Sequence, residues 1–415
     1  MTQLTVFREM IGKTRDFNVL MVALLAGVGI GLISAYNMET AGHHITGMTN
    51  RIVWGLPHVF AVFMILCAAG AINPASIASI MGRKMYQPLA RLSAVLAMSL
   101  LAGGLSILVL DLGRPDRLLG VIPILNFDSI FALNIFVYSS FFLACALSLW
   151  MVMERRMARY IKAIGTITFL IRLLLATDIG SVFGVLVARQ AYDSAVMAPM
   201  FVVLSFAFGT AVFIVVMLSA MALTGRPVGA AINRRLARTM GVFLAIGLYF
   251  VAMTHITNLY SPAHRGASEF VLFQGGIYTT LFWVGQIILG TLVPLSIVTC
   301  PKYLRCSCMV LLAAGLVIIG GFIQIYIIII GGQAYPLLIF PGMEATSAFL
   351  DGQIASYTPR LPEILLGLGG GALSLALVTL AIRVLPILPM SMADEAIDPH
   401  YTPPPEPEPE PDAEP

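Results

Sequence analysis

Charge is what this chain lacks. Asp, Glu, Lys and Arg make up 11% of its 415 residues, against 59% hydrophobic residues and a mean hydropathy of +0.91. A soluble globular domain carries about 25% charged residues, so a water-solvated fold of this size is excluded. Cysteine is scarce too. Of five, Cys67 and Cys145 fall in apolar runs, and Cys300, Cys306 and Cys308 sit close together; that is no disulfide framework. The C-x5-C-x-C spacing, without a fourth Cys or a nearby His, reads as free thiols ahead of a metal site. Only His58 and His255 of the six histidines lie well inside apolar runs, short of the four axial ligands a di-haem cytochrome b anchor needs. One bis-histidine haem stays open on that count.

What is present is apolar length. Ten runs, near 18–36, 54–72, 89–110, 129–153, 161–188, 195–223, 240–260, 273–298, 308–331 and 363–388, each reach the roughly 20 residues that span about 30 Å of hydrocarbon. The expected fold is an all-α integral membrane protein of ten transmembrane helices. Its parts are an N-terminal segment over 1–16, a membrane domain over 17–389 and a tail over 390–415. Pro alternates with Glu and Asp in that tail, a composition that favours extended, solvated chain. No cleavable-signal pattern precedes the first run, which is therefore expected to be retained.

Basic residues divide unevenly between the two faces. Six of the 24 Lys and Arg residues (Arg51, Arg114, Arg117, Arg189, Arg265, Arg360) lie opposite the N-terminus, Arg172 lies within span 5, and the other 17 share the N-terminal side. Short loops rich in Lys and Arg stay in the cytoplasm, so both termini are expected there, in a cytoplasmic (inner) membrane.

Polar residues inside the spans gather towards the outer face: His58 in span 2, Asp111 ending span 3, Asn134 and Tyr138 one turn apart in span 4, Asp178 in span 5 and His255 in span 7. An ionisable side chain in hydrocarbon costs several kcal/mol unless it meets a partner or water, so these residues point to a shared polar pocket. Tyr, His and Asn donors with carboxylates beside an apolar channel suit a proton-coupled quinone site. Helix–helix hydrogen bonding is the plain alternative for each residue, and Tyr36 and Trp54 read as interfacial belt residues. Arg172 sits about 16 Å deep at 1.5 Å per residue and requires a carboxylate or backbone carbonyl from another helix; its role is a proton path or a structural lock. The outer segments Asp111–Arg117 and 332–362, the latter with Gln333, Tyr335, Glu344, Asp351, Tyr357 and Arg360, suit partner contact or site cover.

Several motifs together resemble the NrfD/PsrC family of polytopic membrane subunits. They are Thr46-Gly-Met48, Trp54-Gly55, Asp111-Leu-Gly-Arg-Pro115, Phe282-Trp283 with Gly290 and Pro294, Gly331-Gly-Gln333, and Tyr357…Pro362-Glu363. The Gly-Gly-Gln-Ala-Tyr-Pro run is most similar to the DsrP-type branch found in the Dsr sulfur-metabolism complexes. The resemblance implies electron exchange between menaquinone or ubiquinone and an extracytoplasmic, ferredoxin-like iron–sulfur subunit. It also implies haem-containing and further iron–sulfur partners, no haem or cluster in this chain, and no nucleic acid. On the quinone reading of the pocket, Tyr138 and His58 donate to quinone oxygens, Asp111, Asp178 and His255 accept protons, and Arg114 tunes Asp111 or meets the partner. Arg117, Gln333, Tyr357 and Glu363 mark partner-contact loops. Many members have an acid on span 4 where this chain has Asn134; Asp178 is the expected substitute. A secondary transporter and a purely structural anchor are the alternatives.

Overall fold

The computed structural model describes residues 6–9, 14–121, 124–337 and 352–397. The acidic residues Glu344 and Asp351 and all of the tail beyond 397 lie outside the described residues. Ten helices are long and apolar enough to cross a membrane: α1 Arg15–Ala41, α2 Leu56–Ile80, α3 Lys84–Leu110, α4 Ile130–Met153, α5 Arg155–Gly184, α6 Met197–Leu223, α7 Ala230–Tyr260, α8 Ile277–Thr299, α9 Ser307–Ala334 and α10 Leu361–Val384. The only strand-like pairings among the described residues are two isolated bridges, Phe7 with Pro389 and Val228 with Met392.

Those bridges show that the chain's beginning and end meet at one end of the bundle. Arg226, between α6 and α7, ties them by donating to the carbonyls of Leu388 (2.8 Å) and Arg8 (3.1 Å). We call this the terminal end and the opposite one the far end.

Several helix limits differ from the hydrophobic pattern for local reasons. α7 begins ten residues before the apolar run, because Arg and Leu extend a helix readily and Asp394 caps it, accepting from Ala230 N (3.2 Å) and Ala231 N (3.0 Å). α8 begins at Ile277, not 273, because Gly276 takes a positive φ of 57° just before it. α2 is interrupted at Ile72, where Pro74 cannot donate to the preceding turn. The expected free thiols Cys306 and Cys308 are instead joined by a disulfide, their Cα atoms 5.3 Å apart at the start of α9. One residue of separation already brings the two within bridging range, while Cys300 remains free.

Burial grades the helices. The most apolar stretch of α2 is 83% buried and that of α1 only 17%, so α2 forms the hub and α1 lies at the periphery against α10. Helices in lipid gain no hydrophobic drive from each other and associate through close packing of small residues. At the α2–α6 crossing Gly70 faces Gly209, and a Cβ on Gly70 would lie 2.9 Å from the Gly209 Cα and collide with the Ser205 carbonyl. α8 contains a π-helical stretch, Leu281–Leu292, and α9 another, Ile327–Gly331; such turns widen the helix and re-aim its side chains.

Replacing Gly70 by Ala is expected to cost about 1–3 kcal/mol by overpacking, lowering the thermal unfolding midpoint in detergent. Gly371→Ala, at a position with open space around it, should leave the midpoint in place. Equal midpoints for the two variants would refute the close α2–α6 contact.

Candidate functional site

At the far end the chain leaves one helix and re-enters another several times, and each passage exposes backbone N–H groups. Lipid offers them no partner. Buried side chains supply the acceptors instead. Glu363, in the first turn of α10, is fully buried and accepts from Gly47 N (2.8 Å), Arg360 N (2.8 Å) and the Tyr357 hydroxyl (2.6 Å). Tyr357 in turn accepts from Leu56 N (2.7 Å), the first residue of α2. Burial, and then the Glu363 carboxylate, push the Tyr357 phenol well above its ordinary value, so it stays protonated and donating. Gly55 permits this: a Cβ there would lie 2.6 Å from Glu363 Oε1 and 3.0 Å from the Tyr357 hydroxyl oxygen.

Gln333, at the end of α9, performs the same task nearby. Its Oε1 accepts from Val53 N (2.9 Å) and Trp54 N (3.1 Å), while its Nε2 donates to the carbonyls of Trp54 (3.0 Å) and Ile329 (2.9 Å). Arg189 closes this layer, donating to the Gln333 carbonyl (3.0 Å) and the Arg51 carbonyl (2.8 Å). Gln333 and Glu363, assigned from sequence to partner-contact loops, thus lie inside the bundle; Tyr357 is half-buried and engaged with both α2 and α10. Arg117 alone of that set is exposed.

Trp54, read as a belt residue, belongs to this interior. Its ring stacks on His58 (centroids 5.1 Å apart, 6° between planes) and meets Phe183 of α5 edge-on at 6.0 Å and Phe131 of α4 at 6.5 Å. The acid on α5, Asp178, faces α4. With its amide turned to satisfy both residues, Asn134 Nδ2 donates to Asp178 Oδ1 (2.8 Å) and to the Ile130 carbonyl (3.1 Å). Asp178 is buried and close enough to Tyr138 for electrostatic coupling. Tyr138 lines an apolar groove of about 360 Å³ between α3 and α4, with Leu105, Phe142 and Leu143 on its walls.

Asp111, just beyond α3, is raised to about 7 by burial and then by the negative charge of Glu363. Its Oδ1 is buried without a hydrogen-bond partner among the described residues. Arg114 does not tune it: Gly113 (φ 41°) turns the chain, and Arg114 pairs at the surface with Asp116 at 3.5 Å.

Two further sequence assignments change. His255 does not join the other candidates. Its Nδ1 lies 3.3 Å from the Ser268 hydroxyl and its ring meets Phe282 edge-on, in a separate cavity among α6, α7, α8 and α9. Helical spacing brought it to the right depth but not to the same side of α2. Among the described residues Arg172 meets neither a carboxylate nor a backbone carbonyl. It donates to the Asn73 side-chain oxygen and lies over the rings of Phe169 (4.7 Å) and Phe206 (4.5 Å), which disperse its charge without a second ion. Asn73, which also donates to Thr210 Oγ1 (2.8 Å), went unremarked in the sequence, although Asn-Pro inside an apolar run was a visible signal.

Residues 44–336 match the family described as "Polysulphide reductase, NrfD". The chain belongs to the NrfD family. Among curated relatives, this NrfD chain is 26% identical to the "Hdr-like menaquinol oxidoreductase integral membrane subunit" of Archaeoglobus fulgidus, over 94% of this chain and 99% of that one. It is 22% identical to a selenate reductase subunit of Mesobacillus selenatarsenatis (91% and 95% covered). With a protein of Halobacterium salinarum named as a dimethyl sulfoxide reductase membrane subunit it shares 23% identity (88% and 90%). With ten spans and this membership, the NrfD chain is a multi-pass integral membrane protein. The matched region takes in Thr46–Met48, Trp54, His58, Asp111, Asn134, Tyr138 and Asp178, and ends before Tyr357 and Glu363 close the site.

Tyr357→Phe strands Leu56 N–H and one Glu363 oxygen, and should cost about 1–3 kcal/mol, read as a lower unfolding midpoint of the purified NrfD chain. For Asp111, whose folded value of about 7 exceeds its ordinary 3.8, folding takes up a proton between those limits. Its contribution is therefore greatest below pH 4 and is lost as pH rises to 7. Asp111→Asn should gain stability relative to the parent across that window and hold a constant advantage above it; parallel midpoints at pH 4.5 and 8 would contradict this.

Proposed function

We propose that the chain is the quinone-reactive membrane subunit of a multi-subunit oxidoreductase. The observation that carries the reading is the lipid-side groove floored by Tyr138, with the Asn134–Asp178 pair and the stacked Trp54–His58 rings in the same part of the bundle. The charge asymmetry of the loops supports placing the far end outside the cytoplasm and both termini within it. Menaquinol is the favoured substrate, because the relative from Archaeoglobus fulgidus is named for it.

In this reading the apolar groove admits the quinone ring from the bilayer. Tyr138 and His58 hydrogen-bond its two oxygens, and Asp178, oriented by Asn134, exchanges one proton. Asp111, poised near neutrality at the far end, takes the second to the aqueous face. Oxidation of one quinol releases two electrons and two protons. The electrons leave for an iron–sulfur subunit docked over the turn at 112–117, whose Arg114, Asp116 and Arg117 are exposed, because the chain offers no redox group of its own in this scheme. Haem-bearing and further iron–sulfur subunits complete the complex. The run Gly331-Gly-Gln-Ala-Tyr-Pro336 favours a DsrP-like place in sulfur metabolism. Arg172, held by an amide and two rings, acts as a lock between α5, α2 and α6.

The test is affinity purification through the C-terminal tail, followed by oxidation of a short-chain menaquinol analogue. The intact complex should contain iron–sulfur and haem proteins in fixed ratio. Asp178→Asn should slow turnover at least about a hundredfold, the lower end of the range for losing a proton-transfer partner, and Tyr138→Phe about tenfold, as for one lost hydrogen bond of about 1.4 kcal/mol, neither dissolving the complex; His255→Ala should stay near the parent rate. Full turnover in both site variants would leave a structural anchor, and a well-behaved chain purified alone would favour a transporter.

A further inference from the structure

The cavity that holds His255 is unlike the rest of the interior. It has a volume of about 70 Å³ and is lined in part by Asn258 of α7, Gln286 of α8 and Gln324 of α9, which are 7%, 4% and 6% exposed. None of these three carboxamides has a side-chain hydrogen-bond partner among the described residues, although each carries two donors and an acceptor. Other buried amides have protein partners, Gln333 in four bonds, Asn73 in three and Asn233 in one to Ser307 Oγ, although Asn233 Oδ1 has none among the described residues. A buried polar group left without a partner costs about 1–3 kcal/mol, and three facing one space would cost several times that. Buried polar groups that lack a protein partner are commonly served by ordered water, each molecule making about three hydrogen bonds.

The walls favour the same occupant. The lining side chains carry no carboxylate, Lys or Arg, so nothing there compensates a bound ion, and the volume suits two waters at about 30 Å³ each. The π-helical stretches of α8 and α9 turn Gln286, Ile327 and Ile328 towards this space. We propose that this pocket is a permanently hydrated site, in which Asn258, Gln286 and Gln324 bind about two waters beside the His255 imidazole. It lies in the half of the bundle formed by α6 to α9, apart from the groove at Tyr138, and the proposal does not rest on the quinone reading. His255 supplies the one imidazole of the lining, so the site places a ring nitrogen beside the bound water.

X-ray radiolytic footprinting of the purified complex tests it, since bound water generates hydroxyl radicals in place. Met200 should oxidise at least about fivefold faster than Met240 and Met217, which are as deeply buried but line no such cavity, and the partly exposed His255 should label along with Met200. The Gln286→Leu/Gln324→Leu double variant should lose that excess while exposed Met390 labels as before. Labelling of Met200 and His255 no faster than of Met240, or an excess that persists in the double variant, would overturn the proposal. Should the double variant fail to fold, a high-resolution density map of the parent complex decides: water within hydrogen-bond distance of at least two of the carboxamides supports the site, and an empty cavity rejects it.

Discussion

Hydrocarbon offers no hydrogen bonds, so wherever a chain breaks helix inside a membrane protein its backbone must find partners within the fold. At the far end of this bundle two side chains meet that demand, Glu363 for Gly47, Arg360 and, through Tyr357, Leu56, and Gln333 for Val53 and Trp54. They join the start of α2, the end of α9 and the start of α10 into one layer. Because Trp54 is held on both its N–H and its carbonyl, its ring is fixed against His58, and the α2 face that carries His58 is set relative to α4 and α5. The proposed site therefore inherits its geometry from backbone satisfaction several residues away.

The same layer places charge. Glu363 is anchored by three donors, and its negative charge, after burial, is what raises Asp111 towards neutrality. Farther into the bundle the solution differs. Arg172 is accommodated by an amide oxygen and two aromatic faces, an arrangement that disperses a cation without burying an anion and its desolvation cost. The far end and the bundle interior thus use unlike chemistry for one problem, a polar group without water.

How much of this was legible in the sequence depends on the range of the interaction. The ten spans were, because each is set by its own run of apolar residues. So were Asn134 and Tyr138 on one helical face, and the placing of Asp111 in an ordered turn, since spacing within one element suffices. Gln333, Tyr357 and Glu363 stood out as motif residues, yet their loops suggested surface, because nothing local reveals that a loop folds back over the helix ends. Trp54 read as a belt residue for the same reason. His255 sat at the expected depth, but depth along a helix says nothing about which neighbour the helix meets.

By itself the sequence determined that this is a ten-helix membrane protein of the NrfD family, with its basic residues gathered on one side, because hydrophobic length and charge count are properties of consecutive residues. Only the tertiary structure decided which polar residues share a pocket: Asn134 with Asp178, Trp54 with His58, Asn73 with Arg172, and His255 with none of them. That choice is made by how helices rotate and cross, through contacts such as Gly70 against Gly209, between residues more than a hundred positions apart.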